Sequence, residues 1–329
     1  MSDTVYKIIY FGTSDFAVPP LLALLEDGRF RVVAVVSQPD KPAGRKSELK
    51  PCPVARTARQ RELRLLQPEK LRDEAVRKEI ASFGPDLLVV AAYGKILPAA
   101  LLAVPRRGAV NLHGSILPKY RGASPIQSAI LAGEKTTGVS LMLMDQEMDH
   151  GPVFATAETP ISDSETYGTL ENKLAEMAAK LLIGRLADIA AGACPAQGQA
   201  HDQATSTKIL SRQDGFIAWK DETAEAIARK VRAFDPWPGA FALWRRGGRV
   251  VRIKVLSIKP TLAPAHGRLT EPGTVFVTEQ KYPAVMTKAG AVELITVQIE
   301  GKKASSGQAL LHGYPDLAGG VLEVSAAAG

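Results

Sequence analysis

The sequence predicts an α/β protein in two parts: a doubly wound, mostly parallel, Rossmann-like sheet over residues 1–191, and a small OB-like β-barrel over residues 209–329. Three observations predict it. Short continuous apolar runs alternate with helix-period segments through the first half, the pattern of βαβ units buried on both faces. Residues 192–208 are small and polar and read as a linker. Beyond them, short alternating segments are separated by glycines and prolines, as in a small barrel. The length of 329 residues fits two domains, at roughly 100–200 residues each.

Residues 5–10 form the first apolar run and end at Gly12-Thr13-Ser14-Asp15; a helical pattern follows over 16–26. Residues 32–37 make a second strand, and Leu65 and Leu66 mark a short third. Helices are expected over 69–83 and 124–132, and strands over 86–91, 109–112 and 139–144. Residues 167–191 read as one helix, with Leu170, Leu174, Met177, Leu181, Leu182 and Leu186 as its core stripe. In the second part a helix is expected over 223–234, and strands over 240–244, 250–258, 273–278, 285–287 and 292–299.

An apolar fraction of 46% and a charged fraction of 23% are those of an ordinary soluble protein. No run of about 18 apolar residues occurs, so no transmembrane helix is expected. The start of the chain lacks a basic region and a cleavage-site pattern, and the two cysteines, Cys52 and Cys194, have no metal-ligand spacing. A reduced, cytoplasmic, monomeric protein is the expectation. The net charge of +7 is uneven: residues 38–64 hold eight Lys/Arg against three Asp/Glu, and residues 209–329 hold sixteen against eleven. Such an excess is either solvated surface or a footprint for a polyanion.

The chemistry concentrates in Asn111-Leu112-His113-Gly114-Ser115-Ile116-Leu117-Pro118, just after a strand, where ligands bind in open α/β sheets. Residues 111 and 113 share a strand face, so an amide and an imidazole project together. Such a pair is either hydrogen-bonded core or a device for acyl transfer, with a donor for the oxyanion and a group that moves a proton. A second loop, Met144 to Gly151, offers Asp149, which beside His113 would balance a positive imidazole or take a proton through water. His150 reads as a surface loop residue. H-E-x-x-H, Walker A, G-x-G-x-x-G and G-x-S-x-G patterns are all absent.

Asn-x-His, the Ser-Ile-Leu-Pro run after it and the downstream Asp149 together resemble the folate-dependent formyltransferases. Phe11 to Ala17 (FGTSDFA), Gln38 to Arg45 (QPDKPAGR), Tyr120 to Gln127 (YRGASPIQ), Phe234 to Pro238 (FDPWP) and Gly301-Lys302-Lys303 resemble the members acting on methionyl-tRNA. The resemblance implies formyl transfer from 10-formyltetrahydrofolate to initiator methionyl-tRNA in translation initiation, with no metal and no covalent enzyme intermediate. It implies catalytic roles for Asn111, His113 and Asp149, and a folate site along Ser115, Ile116, Leu117 and Pro118 with Lys95, Ile96 and Leu97. Phe16 would lie near the methionyl side chain, and Lys41, Arg45, Lys46 and Lys50 near the acceptor stem. Two rivals stay open: a relative acting on an amino sugar or a glycinamide ribotide, and an inactive tRNA-binding protein. The sequence departs from the family at Glu147, where a glycine is usual, and at His150. Were φ > 0 needed at residue 147, Glu147 would cost about 1 kcal/mol or more.

Overall fold

A computed structural model of the chain describes residues 4–43, 48–263 and 271–324. It divides into two compact units. Unit one holds the chain up to Ile126 together with Lys135–Ile161 and Thr169–Ile209; unit two holds Gln127–Glu134, Ser162–Gly168 and the chain from Leu210. Two short segments of the expected first domain thus group with the second. The expected linker, 192–208, falls within unit one, because Gln197 exchanges backbone hydrogen bonds with Val153 and Ser206–Thr207 pairs with Arg121–Gly122.

Among the described residues, unit one runs β1 (Tyr6–Gly12), α1 (Val18–Glu26), β2 (Phe30–Val36), β3 (Lys41–Ala43), β4 (Glu48–Lys50), α2 (Pro53–Gln60), β5 (Leu65–Leu66), α3 (Glu74–Ser82), β6 (Leu87–Ala91), α4 (Ala99–Leu102), β7 (Ala109–His113), β8 (Arg121–Gly122), α5 (Pro125–Ala132), β9 (Thr136–Leu143), β10 (Val153–Pro160), α6 (Tyr167–Ala191) and β11 (Ser206–Thr207). α5 runs on into unit two, and α6 starts there. The main sheet has the order β10-β9-β7-β6-β1-β2-β5. From β5 to β7 all neighbours are parallel; β9 and β10 add antiparallel edges. β6, LLVVA, is buried at every position, as a strand covered on both faces must be. Strand order reverses between β1 and β6, and open α/β sheets bind ligands at the carboxyl ends of the strands beside such a reversal.

Local signals explain where helices start. α3 begins at Glu74 rather than near residue 69 because the Asp73 carboxylate accepts from Ala75 N–H and caps it. α2 was not expected from sequence. Pro53 sits in its first turn, the Cys52 sulfur accepts from Ala55 N–H, and Val54, Ala55, Thr57 and Ala58 are its buried face. Part of the basic segment 38–64 is therefore the solvent side of an amphipathic helix. α6 matches its expected bounds, with Leu170, Leu174, Leu182 and Leu186 buried and Met177 and Leu181 half-buried. Leu182→Ala, at a fully buried site, is expected to cost about 2–5 kcal/mol, read as a lower urea midpoint with an unchanged slope.

Unit two carries α7 (Ala224–Ala233), β12 (Phe241–Arg246), β13 (Arg249–Thr261), β14 (Val275–Val277), β15 (Pro283–Met286), β16 (Ala291–Ile299), β17 (Ser305–Ser306) and α8 (Gly307–Gly313). The sheet order is β12-β13-β16-β15-β14, with β17 on β16. The edges do not stay open. Trp244 on β12 bridges Leu322, Thr274 beside β14 bridges Val321, and Leu322 and Glu323 donate to Gly273 and Leu243 carbonyls. The segment near residue 322 joins the two edge strands and closes the sheet around Trp219, Ile253, Val292 and Leu294.

Candidate active site

Asn111 and His113 end β7, buried on both strand faces, with Asn111 opposite Met142 and His113 opposite Ser140 on β9. The two residues are 9% and 5% exposed. They meet Asp149, which lies in the loop between β9 and β10. Asn111 Nδ2 donates to Asp149 Oδ1 at 3.3 Å, and His113 Nδ1 lies 3.5 Å from Asp149 Oδ2. Both contacts are longer than a tight hydrogen bond. The short contact to the carboxylate comes from the backbone: Gly122 N–H donates to Oδ2 at 2.8 Å. On the other side of the ring, His113 Nε2 is 2.9 Å from the Tyr120 carbonyl oxygen. That oxygen only accepts, so Nε2 carries a hydrogen, and Nδ1 is the nitrogen turned to the carboxylate.

Backbone strain surrounds the cluster. Asp149 and Tyr120 occupy the left-handed region, with φ of 50° and 60°. Non-glycine residues held there gather at functional sites, because the surroundings must over-determine them. The strain expected at Glu147 lies two residues on, at Asp149, a residue type that tolerates it. Glu147 N–H instead donates to Asp145 Oδ1 in a local turn. Gly122 has φ of 109°, and a Cβ there would lie 2.9 Å from the Thr207 oxygen. Only glycine lets this backbone reach the carboxylate.

The loop after β7 is pinned from below. Ser140 Oγ donates to Ser115 O and accepts from Leu117 N–H, while Ser115 Oγ donates to Lys119 O at 2.6 Å. Ser115 and Leu117 are buried and Ile116 half-buried, and the Leu117–Pro118 peptide is cis. At the carboxyl ends of the strands, Thr13 Oγ1 and Gln38 Nε2 both donate to Tyr93 O, stitching together the loops after β1, β2 and β6. Past Tyr93, Lys95 Nζ donates to Glu69 O, Ile96 is 71% exposed, and Leu97 is buried in the core. Phe16 is buried in the short 3-10 turn before α1. Lys41 and Lys50 are exposed and face each other across the β3–β4 pair, and Lys41 Nζ donates to Gln38 Oε1. Arg45 and Lys46 lie outside the described residues.

Sequence reading missed several contributors. Gly122 N–H and the Tyr120 carbonyl come from the YRGASPIQ stretch, which was legible as a motif but not as a set of contacts. His150 is not free surface: its Nδ1 is 2.7 Å from Asp145 Oδ2, and its ring stacks on His201 at 4.1 Å. Gln199 was hidden in a segment that reads as a linker.

A doubly wound sheet with an amide, an imidazole and a carboxylate gathered at its strand ends, followed by a closed β-domain, defines a two-domain α/β enzyme suited to group transfer. Comparison narrows the class. The family described as formyl transferase matches residues 6–186, and its C-terminal domain matches residues 209–315. A methionyl-tRNA formyltransferase of Roseiflexus sp. (strain RS-1) is 43% identical over 298 residues, covering 90% of this chain and 89% of its own. One of Halalkalibacterium halodurans is 40% identical over 312 residues, covering 93% and 94%. Solved structures share the fold. The sugar 3N-formyltransferase WlaRD aligns with a TM-score of 0.60 at 16% identity, over 92% of this chain and all of its own. HypX from Aquifex aeolicus, in complex with tetrahydrofolic acid, aligns with a TM-score of 0.59 at 16% identity, over 94% of this chain and 47% of that one. This chain thus spans about half of HypX. The chain belongs to the formyl transferase family.

Proposed function

We propose that this protein transfers the formyl group of 10-formyltetrahydrofolate to the α-amino group of initiator methionyl-tRNA, in the cytoplasm and as a monomer. The observation that carries the reading is the convergence of Asn111, His113 and Asp149 at the carboxyl end of the sheet. It occurs in a chain that matches relatives of that name across both domains. Incubation with both substrates, followed by recovery of formylmethionine from the tRNA, tests the reading. Absence of formylmethionine in spite of tRNA binding sinks it in favour of an inactive binder.

The neutral amine attacks the formyl carbon, and negative charge develops on the formyl oxygen. Asn111 Nδ2, whose bond to Asp149 is long, is the donor free to turn toward that oxygen, and His113 is the second once its Nε2–H leaves the Tyr120 carbonyl. Asp149, held by Gly122 N–H, receives the amine proton through a water. Collapse of the tetrahedral centre forms the amide and breaks the bond to the donor's nitrogen, which takes a proton in exchange. No group of the chain forms a covalent bond, so positioning of the two substrates supplies much of the rate.

The donor supplies an activated formyl group at the edge of a flat, polar-edged ring system. Two features support placing such a molecule at the strand ends: Thr13 and Gln38 pin the loop at Tyr93, and Ile96 offers an exposed apolar side chain beside it. In this reading Lys95, Ile96 and Leu97 present backbone to the ring, and Ser115, Ile116, Leu117 and Pro118 line the approach to His113. Ser115 and Leu97 serve through the backbone, since their side chains are buried and engaged. Phe16 shapes the wall near the methionyl side chain. Lys41, Arg45, Lys46 and Lys50 meet acceptor-stem phosphates. Arg45→Ala is expected to weaken tRNA use and to lower the slope of log affinity against log salt by about one contact. An unchanged slope in a salt titration would make that loop ordinary surface.

A further inference from the structure

We infer that Gln199, oriented by Arg121, is a positioning residue that holds Asp149 in its working conformation; this rests on the catalytic reading of Asp149 given above. Asp149 sits at φ of 50°, a sparsely populated conformation that aspartate tolerates better than most residues but that its surroundings must favour. The carboxylate end is held by Gly122 N–H. The backbone end is held by Gln199 alone among the side-chain contacts described: its Nε2 donates to Asp149 O at 2.9 Å and to Gly151 O at 2.7 Å. One amide nitrogen thus ties both carbonyls flanking His150, and so fixes the turn that aims the carboxylate at Asn111 and His113.

The orientation of that amide is settled by chemistry. Arg121 Nε and Nη2 approach Gln199 Oε1 at 3.1 and 2.6 Å, and a guanidinium only donates. The oxygen therefore faces Arg121 and the nitrogen faces the loop. Arg121 is in turn placed by β8, where it pairs with Ser206, and its Nη2 donates to His201 Nδ1 at 2.9 Å. Gln199 is placed by its neighbour Gln197, which exchanges two backbone hydrogen bonds of 2.8 Å with Val153. Arg121 and Gly122 are adjacent, so a single strand grips Asp149 twice: directly at the carboxylate and through Gln199 at the backbone.

Single-turnover formyl transfer from 10-formyltetrahydrofolate to methionyl-tRNA is measured for Gln199→Leu and Gln199→Glu, each in the wild-type and Asp149→Asn backgrounds. In the wild-type background both are expected to slow transfer by roughly 10- to 100-fold, because misplacing a reacting group by about 1 Å costs on that order. The tRNA concentration for half-saturation stays within about two-fold, and the melting transition is retained. Gln199→Glu carries the argument should the leucine variant fold poorly: it keeps the pairing with Arg121 but sets a carboxylate oxygen against the two carbonyls, so it should not rescue the rate. In the Asp149→Asn background either change should cost under about two-fold, since residues acting through one another are not additive. Equal losses in both backgrounds, rescue by Gln199→Glu, or a Gln199→Leu rate equal to wild type would each overturn the inference. A near-normal rate for Asp149→Asn alone would instead remove the catalytic reading on which it rests.

Discussion

Asp149→Asn is expected to lower the rate of formyl transfer by about 10²–10⁴-fold, the span over which positioned acid–base groups act. The substitution keeps the size of the side chain and removes its charge. An amide at this position can offer its oxygen to Gly122 N–H, which donates at 2.8 Å. Its nitrogen is then presented to Asn111 Nδ2, also a donor, so one of the two amides must turn away. The imidazole of His113 loses its negative neighbour at 3.5 Å, and in the proposed mechanism the amine loses its proton acceptor. Affinity for tRNA stays near wild type, because the Asp149 side chain is only 14% exposed and faces the cluster rather than open surface. Single-turnover kinetics beside a filter-binding titration separates the two effects. Ordinary turnover in this variant would withdraw Asp149 from the mechanism.

Asn111→Ala should reduce the same rate by about 10²–10³-fold, equivalent to about 2.7–4 kcal/mol of transition-state stabilisation, as expected for loss of one oxyanion donor. The fold should tolerate the change. Asp149 retains Gly122 N–H, and β7 keeps its parallel bonds to β6 and its antiparallel bonds to β9. The loss should appear in kcat with little change in KM for either substrate, since the interaction is made chiefly in the transition state. A change confined to KM would place Asn111 in substrate binding. Equal slowing by Asn111→Ala and Asn111→Asp would leave the donor role unsupported, because the aspartate also sets a second carboxylate against Asp149 and should be slower.

Much of this architecture was legible because the apolar runs are strong and local. β1 and β6 are fully apolar where buried, and α6 has a long stripe that ends in Gly192. β10 escaped because VFATAETP is an edge strand of small and polar residues, with little hydrophobic signal. α2 escaped because its basic face masked a short buried one. The candidate site was legible as chemistry and not as geometry. Asn111 and His113 announce themselves by sharing a strand face, but their partner is 36 or more residues away in a loop whose turn depends on Asp149 itself being left-handed. Gly122 meets Thr207 across more than eighty residues, and Gln199 reaches Asp149 across fifty. No local pattern encodes such pairings. The closure of the second domain by the segment near Leu322 is of the same kind.

Single-turnover formylation with 10-formyltetrahydrofolate, of initiator methionyl-tRNA beside elongator methionyl-tRNA, decides whether the protein moves a formyl group to the amine of an initiator tRNA. Rapid transfer to the initiator, with slow or no transfer to the elongator, is expected. Binding of both tRNAs with transfer to neither would contradict it.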